Sequence, residues 1–392
     1  MANSIKLRLI SEVKKLHNKV VLVRISADVP LQGNKILDDS RLCEALPTIR
    51  FLERHGAKII LVGHLGRPEG RVVPKLSLKP VGYAFGKLLR QPVKVLPLSV
   101  GRTGLRAAAK QGIVLLENIR FERGEEENTS TLSRKLASIA DLYVNESLAT
   151  SHRQAASIVG VTRFLPSYAG LALAHEVHSL EHIRQGGKKP MVAIIGGAKI
   201  SDKLPVIKKL LPKFSNILVG GAVANTLLMA KKNKVGQSLV ELDMLPQAIK
   251  LLTQAKSKIL LPVDVVVLSG SGKKAVVRKM REVAQNDKIF DLGPKTIALY
   301  SKVLKKAKTI FWGGPIGLVE DKRFSAGTLE LAKVVSTQSH NSVFVLVGGG
   351  DTASFFHKQG MRVNHISLAG GAMLEFLAGE ELPGLRVLET RK

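Results

Sequence analysis

Short aliphatic runs rich in Val, Ile and Leu recur along the chain, separated by longer segments whose apolar positions return every three to four residues. In the first half they predict strands over Lys19–Ile25, Ala57–Val62, Ile113–Leu116 and Leu142–Asn145. In the second they predict strands over Met191–Ile195, Asn216–Val219, Ile259–Val267, Thr309–Trp312, Ser342–Val347 and His365–Leu368. Unbroken apolar runs, rather than strict alternation, belong to strands buried on both faces of a parallel sheet. Strands alternating with helices imply right-handed βαβ units. The predicted class is α/β.

The residues just after the strands distinguish two halves. Every Gly-Gly pair lies at or after Gly186. Five of the six sit at strand ends: Gly196-Gly197, Gly220-Gly221, Gly313-Gly314, Gly348 to Gly350, and Gly370-Gly371. The first half instead places Arg24, His64 with Arg67, Arg120, and His152 with Arg153 after its strands. Ligands of open α/β sheets bind at the carboxyl ends of the strands. Two lobes are therefore expected, one basic and one glycine-lined, connected by the helical stretch Ala172–Lys189.

Composition narrows the chemistry. The 392 residues contain a single cysteine, Cys43, which excludes a disulfide scaffold and any Cys-rich metal site. Aromatics are only 4%, so the core must be aliphatic. No apolar run reaches the roughly 18 residues that span a bilayer, and Met1–Lys15 is too polar for a signal peptide, so a cytoplasmic setting is expected. Sixty Lys and Arg against 31 Asp and Glu give a net charge of +29, which favours anionic partners. The bases are dispersed, the pattern of a solvated surface more than of a binding stripe.

Glycine lets backbone N–H groups approach an anion closely, and helix N-termini favour phosphate. Five diglycines at strand ends, with Lys199 and Lys203 just beyond one of them, point to a nucleotide site. Spaced i and i+4, the two lysines are expected on one helix face; two solvated lysines are the plain alternative. Asp351, after Gly348 to Gly350, adds a carboxylate able to hold the magnesium that accompanies a nucleotide. The P-loop pattern is absent. In the other lobe, arginines from separate loops can grip a small phosphate- or carboxylate-bearing anion in bidentate fashion. A nucleotide lobe facing a small-anion lobe suggests phosphoryl transfer across a closing cleft.

The ordered motifs resemble those of the phosphoglycerate kinase family over nearly the whole chain. They include Asp38-Asp39-Ser40-Arg41, His64-Leu65-Gly66-Arg67-Pro68, Glu117-Asn118-Ile119-Arg120-Phe121 and Ser151-His152-Arg153. They continue with Gly196-Gly197-Ala198-Lys199-Ile200-Ser201-Asp202-Lys203, Trp312-Gly313-Gly314-Pro315, Gly348-Gly349-Gly350-Asp351-Thr352 and Gly370-Gly371-Ala372. The resemblance implies two Rossmann-like lobes, each a parallel sheet covered by helices and joined by a hinge helix. Its divisions fall at 1–171 for the phosphoglycerate lobe, 172–189 for the connector and 190–372 for the nucleotide lobe, with 373–392 returning to the first lobe.

The resemblance also implies the reaction, transfer of a phosphoryl group between 1,3-bisphosphoglycerate and Mg-ADP to give 3-phosphoglycerate and Mg-ATP. Ser26, Asp28, Arg41, His64, Arg67, Arg120 and Arg153 would contact the glycerate, with Arg41 also in the catalytic set. Lys199 would neutralise nucleotide phosphates, and Lys203 would accompany the migrating phosphoryl group beside Gly370 and Gly371. Gly197, Ala198 and Gly221 would line the adenine slot, and Glu320 would reach the ribose. Gly349, Gly350 and Thr352 would hold phosphate, and Asp351 would carry Mg2+. A monomer is expected, with non-specific polyanion binding from the +29 charge.

Several family positions are altered. The usual Val-Asp-Phe-Asn-Val-Pro is here Ile25-Ser26-Ala27-Asp28-Val29-Pro30, so an acid is lost at 26 and gained at 28. A second usual histidine is Ala155, the asparagine of Trp-Asn-Gly-Pro is read at Gly314, and Leu368-Ala369 replace Thr-Gly. Each lost polar contact is worth about 1–3 kcal/mol. Three classes remain: an active phosphoglycerate kinase, an acyl-phosphate kinase of shifted substrate, and a catalytically weak basic paralogue that binds nucleic acid or an assembly. Intact Lys199, Lys203 and Asp351 favour the kinases.

Overall fold

A computed structural model describes residues 5–270 and 274–390. The chain forms two compact units, Met1–His178 with Glu381–Lys392, and Ser179–Glu380. The first holds β1 (Val20–Arg24), a small hairpin of β2 (Leu31–Gln32) and β3 (Lys35–Ile36), then β4 (Lys58–Val62), β5 (Val93–Leu96), β6 (Ile113–Leu116), β7 (Leu142–Asn145) and β8 (Ser167–Ala169). Apart from the hairpin, these make a parallel six-stranded sheet in the order β5-β6-β4-β1-β7-β8. Helices on both faces explain the unbroken apolar runs. Val21 and Val23 of β1 enter one core while Val20 and Leu22 enter the other. Burying each such side chain contributes about 1.5–3 kcal/mol.

The second unit holds β9 (Met191–Ile195), β10 (Asn216–Val219), β11 (Ile259–Leu260), β12 (Asp264–Leu268), β13 (Ala275–Lys279), β14 (Lys288–Leu292), β15 (Thr309–Gly313), β16 (Phe344–Gly348) and β17 (His365–Ser367). Six of them form a second parallel sheet, β11-β10-β9-β15-β16-β17, and β13-β12-β14 form a small antiparallel sheet. The strand expected over Ile259–Val267 is thus two strands in two sheets. Between them Leu261-Pro262-Val263 leaves the ladder, and Pro262 has no N–H to donate to it.

Two boundaries differ from those expected. The helix Gly371–Ala378 belongs to the second unit, not to a segment returning to the first. It buries Ala372, Met373, Phe376 and Leu377 and packs on the helix Leu204–Leu210. Only the stretch from Glu381 onward rejoins the first unit. There Arg8 donates to the Val387 carbonyl at 2.6 Å and Gly384 N–H to the Ser151 carbonyl at 2.8 Å. The unit division, moreover, falls inside the helix Leu171–Gln185 rather than at its ends.

Candidate functional site

In the first unit the basic residues occupy loops leaving the carboxyl ends of the neighbouring strands β6, β4, β1 and β7. Arg24 closes β1 and is buried. Its Nε donates to Ser157 Oγ at 3.0 Å, one Nη donates to the Ile25 carbonyl, and the other lies 2.8 Å from His64 Nδ1. Ser157 Oγ donates in turn to Glu125 at 2.6 Å, and its N–H donates to the same carboxylate at 2.9 Å. A buried cation is therefore answered, through one hydroxyl, by a buried acid. Burial lowers the pKa of Arg24 and raises that of Glu125.

This arrangement fixes the tautomer of His64. A guanidinium only donates, so Nδ1 accepts and the ring proton sits on Nε2. Burial, followed by the charges of Arg24, Arg120, Arg153 and Arg41, holds His64 well below the usual histidine range. The imidazole is a neutral donor beside cations.

A cavity of about 50 Å³ is lined by Arg24, His64, Arg120, Glu125, Arg153 and Ala155, among others. Asn118 fixes its rim, donating to the Leu65 carbonyl at 2.7 Å and the Leu76 carbonyl at 2.9 Å and accepting from Arg120 N–H at 3.2 Å. Arg120 itself donates to the Gly66 carbonyl at 2.7 Å and pairs with Glu126 at 3.3 Å. Asp28 lies at the flank. One carboxylate oxygen accepts from Gly66 N–H at 3.0 Å, and its carbonyl accepts from Arg41 at 2.6 Å. Ser26 is turned toward Ser147, 2.7 Å between hydroxyls, and Arg67 is exposed, so neither lines the cavity. Arg24, Ser157, Glu125 and Asn118 were not among the expected contacts. Arg24's place at a strand end and Asn118's place in the motif Glu117-Asn118-Ile119-Arg120-Phe121 were their only marks in the sequence.

The depressed His64 pKa has a measurable sign. Unfolded, the ring titrates near its usual value, about 6.5; folded, it stays neutral to lower pH. The unfolded state therefore binds the extra proton, and His64 erodes stability as pH falls below about 6.5, by at most about 1.4 kcal/mol per pH unit. Glu146 pulls the other way, its carboxyl pushed up by burial to about 7, so its contribution fades as pH rises. The difference between His64→Gln and the parent isolates the histidine. Denaturant titrations from pH 5 to 7 should give the variant the weaker acid destabilisation, and equal slopes would remove this role.

In the second unit a cavity of about 650 Å³ lies where β9, β15, β16 and β17 end. It is lined by Gly197, Ala198, Lys199, Asp202, Lys203, Gly349, Gly350, Asp351, Thr352, Gly370 and Gly371, together with Gly314 and Met373–Glu375. Backbone approaches backbone here. A Cβ on Gly314, whose φ is +92°, would lie 2.4 Å from the Gly196 carbonyl, and one on Gly221 would lie 2.9 Å from that of Gly197. Gly221 thus supports the floor without lining the cavity. Glycine is obligatory at 314, so the asparagine of the family's Trp-Asn-Gly-Pro falls at Gly313, correcting its assignment to Gly314. Glu320 is exposed in a turn outside the cavity.

Lys199 and Lys203 do not share a helix face. The helix begins only at Leu204, with Pro205 in its first turn, and the residues before it form turns. The turns are held by Glu241, which accepts from Ile200 N–H, from Ser201 N–H at 3.0 Å and from Ser201 Oγ at 2.7 Å. Sequence reading missed Glu241, 40 residues away. Burial pulls Lys203 below the usual lysine range, opposed by Asp202 and Asp351.

The helix Gly350–Lys358 presents its N-terminus to the cavity, and Thr352 Oγ1 is buried there with no hydrogen-bond partner. A helix N-terminus and an orphaned hydroxyl suit a phosphate. Among the described residues no cluster of three or more His, Cys, Asp or Glu could hold a metal alone. Asp351 and Asp202 fit the one or two carboxylates that magnesium takes beside substrate phosphates.

The phosphoglycerate kinase family model matches residues 10–380. The phosphoglycerate kinase of Dictyoglomus turgidum is 42% identical over 386 residues, covering 96% of this chain and 97% of its own. That of Rubrobacter xylanophilus is 41% identical over 384 residues, with the same shares. The solved phosphoglycerate kinase of Coxiella burnetii superposes with a TM-score of 0.85 at 38% identity, covering 97% of this chain and 98% of that one. Motif order, fold and full-length likeness agree, and the chain belongs to the phosphoglycerate kinase family.

Proposed function

We propose that the basic cavity of the first unit binds the glycerate and that the glycine-lined cavity of the second binds Mg-ATP or Mg-ADP. The chain is a phosphotransferase of glycolytic type, a kinase acting on a carboxyl group. The paralogue without catalysis is not favoured. The supporting observation is the cavity that gathers Lys199, Lys203 and Asp351 around an unpartnered Thr352 hydroxyl. In this reading Arg120 and Arg153 grip phosphate and carboxylate, His64 donates from Nε2, and Arg41 approaches from the flank. Gly349, Gly350 and Thr352 offer donors to nucleotide phosphates, and Lys199 neutralises them.

Transfer through a metaphosphate-like transition state needs positioning and positive charge more than a covalent partner. Lys203 supplies that charge, next to the backbone of Gly370 and Gly371. Magnesium, held by Asp351 with the nucleotide, would offset phosphate charge. The reading includes a cytoplasmic monomer whose lobes bring their ligands together.

A coupled assay with 3-phosphoglycerate and Mg-ATP should show turnover. Asp351→Asn should raise the Mg-ATP requirement while leaving the KM for 3-phosphoglycerate nearly unchanged. No turnover with 3-phosphoglycerate, but turnover with another carboxylic acid, would replace the substrate.

A further inference from the structure

A second concavity of the first unit lies outside the basic cavity and shares none of its lining residues. It is a groove of about 1500 Å³ walled by Lys75, Lys79, Tyr83, Pro97 and Arg123, among others, beside the turn of the β2–β3 hairpin. We propose that this groove binds single-stranded nucleic acid without sequence preference.

Charge is the first support. Between Gly70 and Leu116 the chain carries nine Lys or Arg and no Asp or Glu. Among the described residues, only Arg106 of the nine is in an ion pair, with Asp141 at 3.1 Å. The two acids that do line the groove are already engaged. Glu117 accepts from Ser77 Oγ and Leu78 N–H, each at 2.7 Å, and Glu122 pairs with Lys135 at 3.7 Å. Among the described residues Lys75, Lys79 and Arg123 have no ion-pair partner, and these three cations outweigh the carboxylate of Glu117, so the groove presents net positive charge to an anionic chain.

The second support is the aromatic ring. Tyr83 is 68% exposed, on the helix Lys79–Leu89. Lys79, Tyr83 and Lys87 are spaced i, i+4 and i+8, hence along one helix face. Lys87 Nζ lies 4.5 Å from the ring centroid, covering one face of the ring. Cations that track a backbone beside an exposed ring on which a base stacks are the elements of single-strand binding. Prolines 74, 80 and 97 stiffen the walls. A concave shape with cations beside a stacking ring favours a strand over a flat lipid surface.

Fluorescence anisotropy of a labelled twelve-residue oligodeoxythymidylate, titrated with the full chain, tests this. Three cations on phosphates predict an affinity loss of about 20-fold between 50 and 200 mM salt. Tyr83→Ala should weaken binding about 5- to 150-fold with the salt slope unchanged, and Tyr83→Phe should restore it. Lys75→Gln with Lys79→Gln should instead flatten the slope by about 1.4. Kinase turnover in the same preparations should stay at the parent level and report intact folding. Unaltered binding by Tyr83→Ala would overturn the proposal in favour of diffuse surface charge. Equal binding of duplex DNA, polyglutamate or phosphatidylserine vesicles would overturn it as well.

Discussion

Lys203→Ala should lower kcat about 100- to 1000-fold, the effect of removing one donor aimed at transition-state charge, while the KM for ATP shifts far less. The ammonium lies in the same cavity as Asp202 and Asp351, and partial burial lowers its pKa. A partly desolvated charge interacts more strongly with charge that develops nearby than a solvated one does. If Lys203 acts on the migrating phosphoryl group, its loss is felt only when that group is in flight. Lys199→Ala supplies the contrast. A charge on the resting phosphates contributes equally to ground and transition states, so its removal should raise the KM for ATP with kcat nearly preserved. Steady-state kinetics of both variants, with nucleotide affinity measured by calorimetry, separate the two roles. Near-normal turnover in Lys203→Ala would take that lysine out of the mechanism.

The parallel sheets were legible because each central strand is an unbroken apolar run. Ile113–Leu116, Leu142–Asn145, Met191–Ile195 and Asn216–Val219 match the predicted ranges. Several edge and antiparallel strands escaped, although β17 and β12 fell on predicted runs. β5 reads Val-Lys-Val-Leu and β13 reads Ala-Val-Val-Arg-Lys, both short, half-exposed and without the signal that two-sided burial writes. The glycines at strand ends marked the glycine-lined cavity, and at Gly196, Gly221 and Gly314 close backbone contact admits nothing larger. The contacts that hold the loops in place stayed hidden. Ser157 and Glu125 sit behind Arg24, and Glu241 reaches Ser201 from 40 residues away. Such contacts depend on tertiary packing that no local spacing records. The i, i+4 spacing of Lys199 and Lys203 misled for a local reason, because Gly196-Gly197 and Pro205 delay the helix until Leu204.

Ser26→Asp with Asp28→Asn should tighten 3-phosphoglycerate binding about 5- to 150-fold, the equivalent of one polar contact worth about 1–3 kcal/mol. Asp28 Oδ1 accepts from Gly66 N–H at 3.0 Å, and an asparagine oxygen can do the same. The substitution therefore keeps the loop contact, removes a negative charge, and turns the second oxygen into an N–H₂ donor. That charge lies among the groups proposed to hold the glycerate, near enough to Arg24 and Arg120 to oppose the fall of their pKa values. Ionised, it repels a substrate phosphate or carboxylate while relieving repulsion among the arginines. At position 26 the hydroxyl now meets Ser147 Oγ at 2.7 Å, and Ser147 Oγ in turn accepts from Thr150 at 3.0 Å. The Ser147 hydroxyl, accepting from Thr150, can donate to a new carboxylate, so the acid need not be buried unpaired. The gain should appear in the KM for 3-phosphoglycerate and leave the KM for ATP unchanged, because the two cavities lie in different units. The single variants apportion it, with Asp28→Asn expected to tighten the acid and Ser26→Asp to restore discrimination for its hydroxyl. Weaker 3-phosphoglycerate binding in Asp28→Asn would mean that the surrounding arginines depend on the carboxylate, and that the site is tuned to an acid which donates to Asp28.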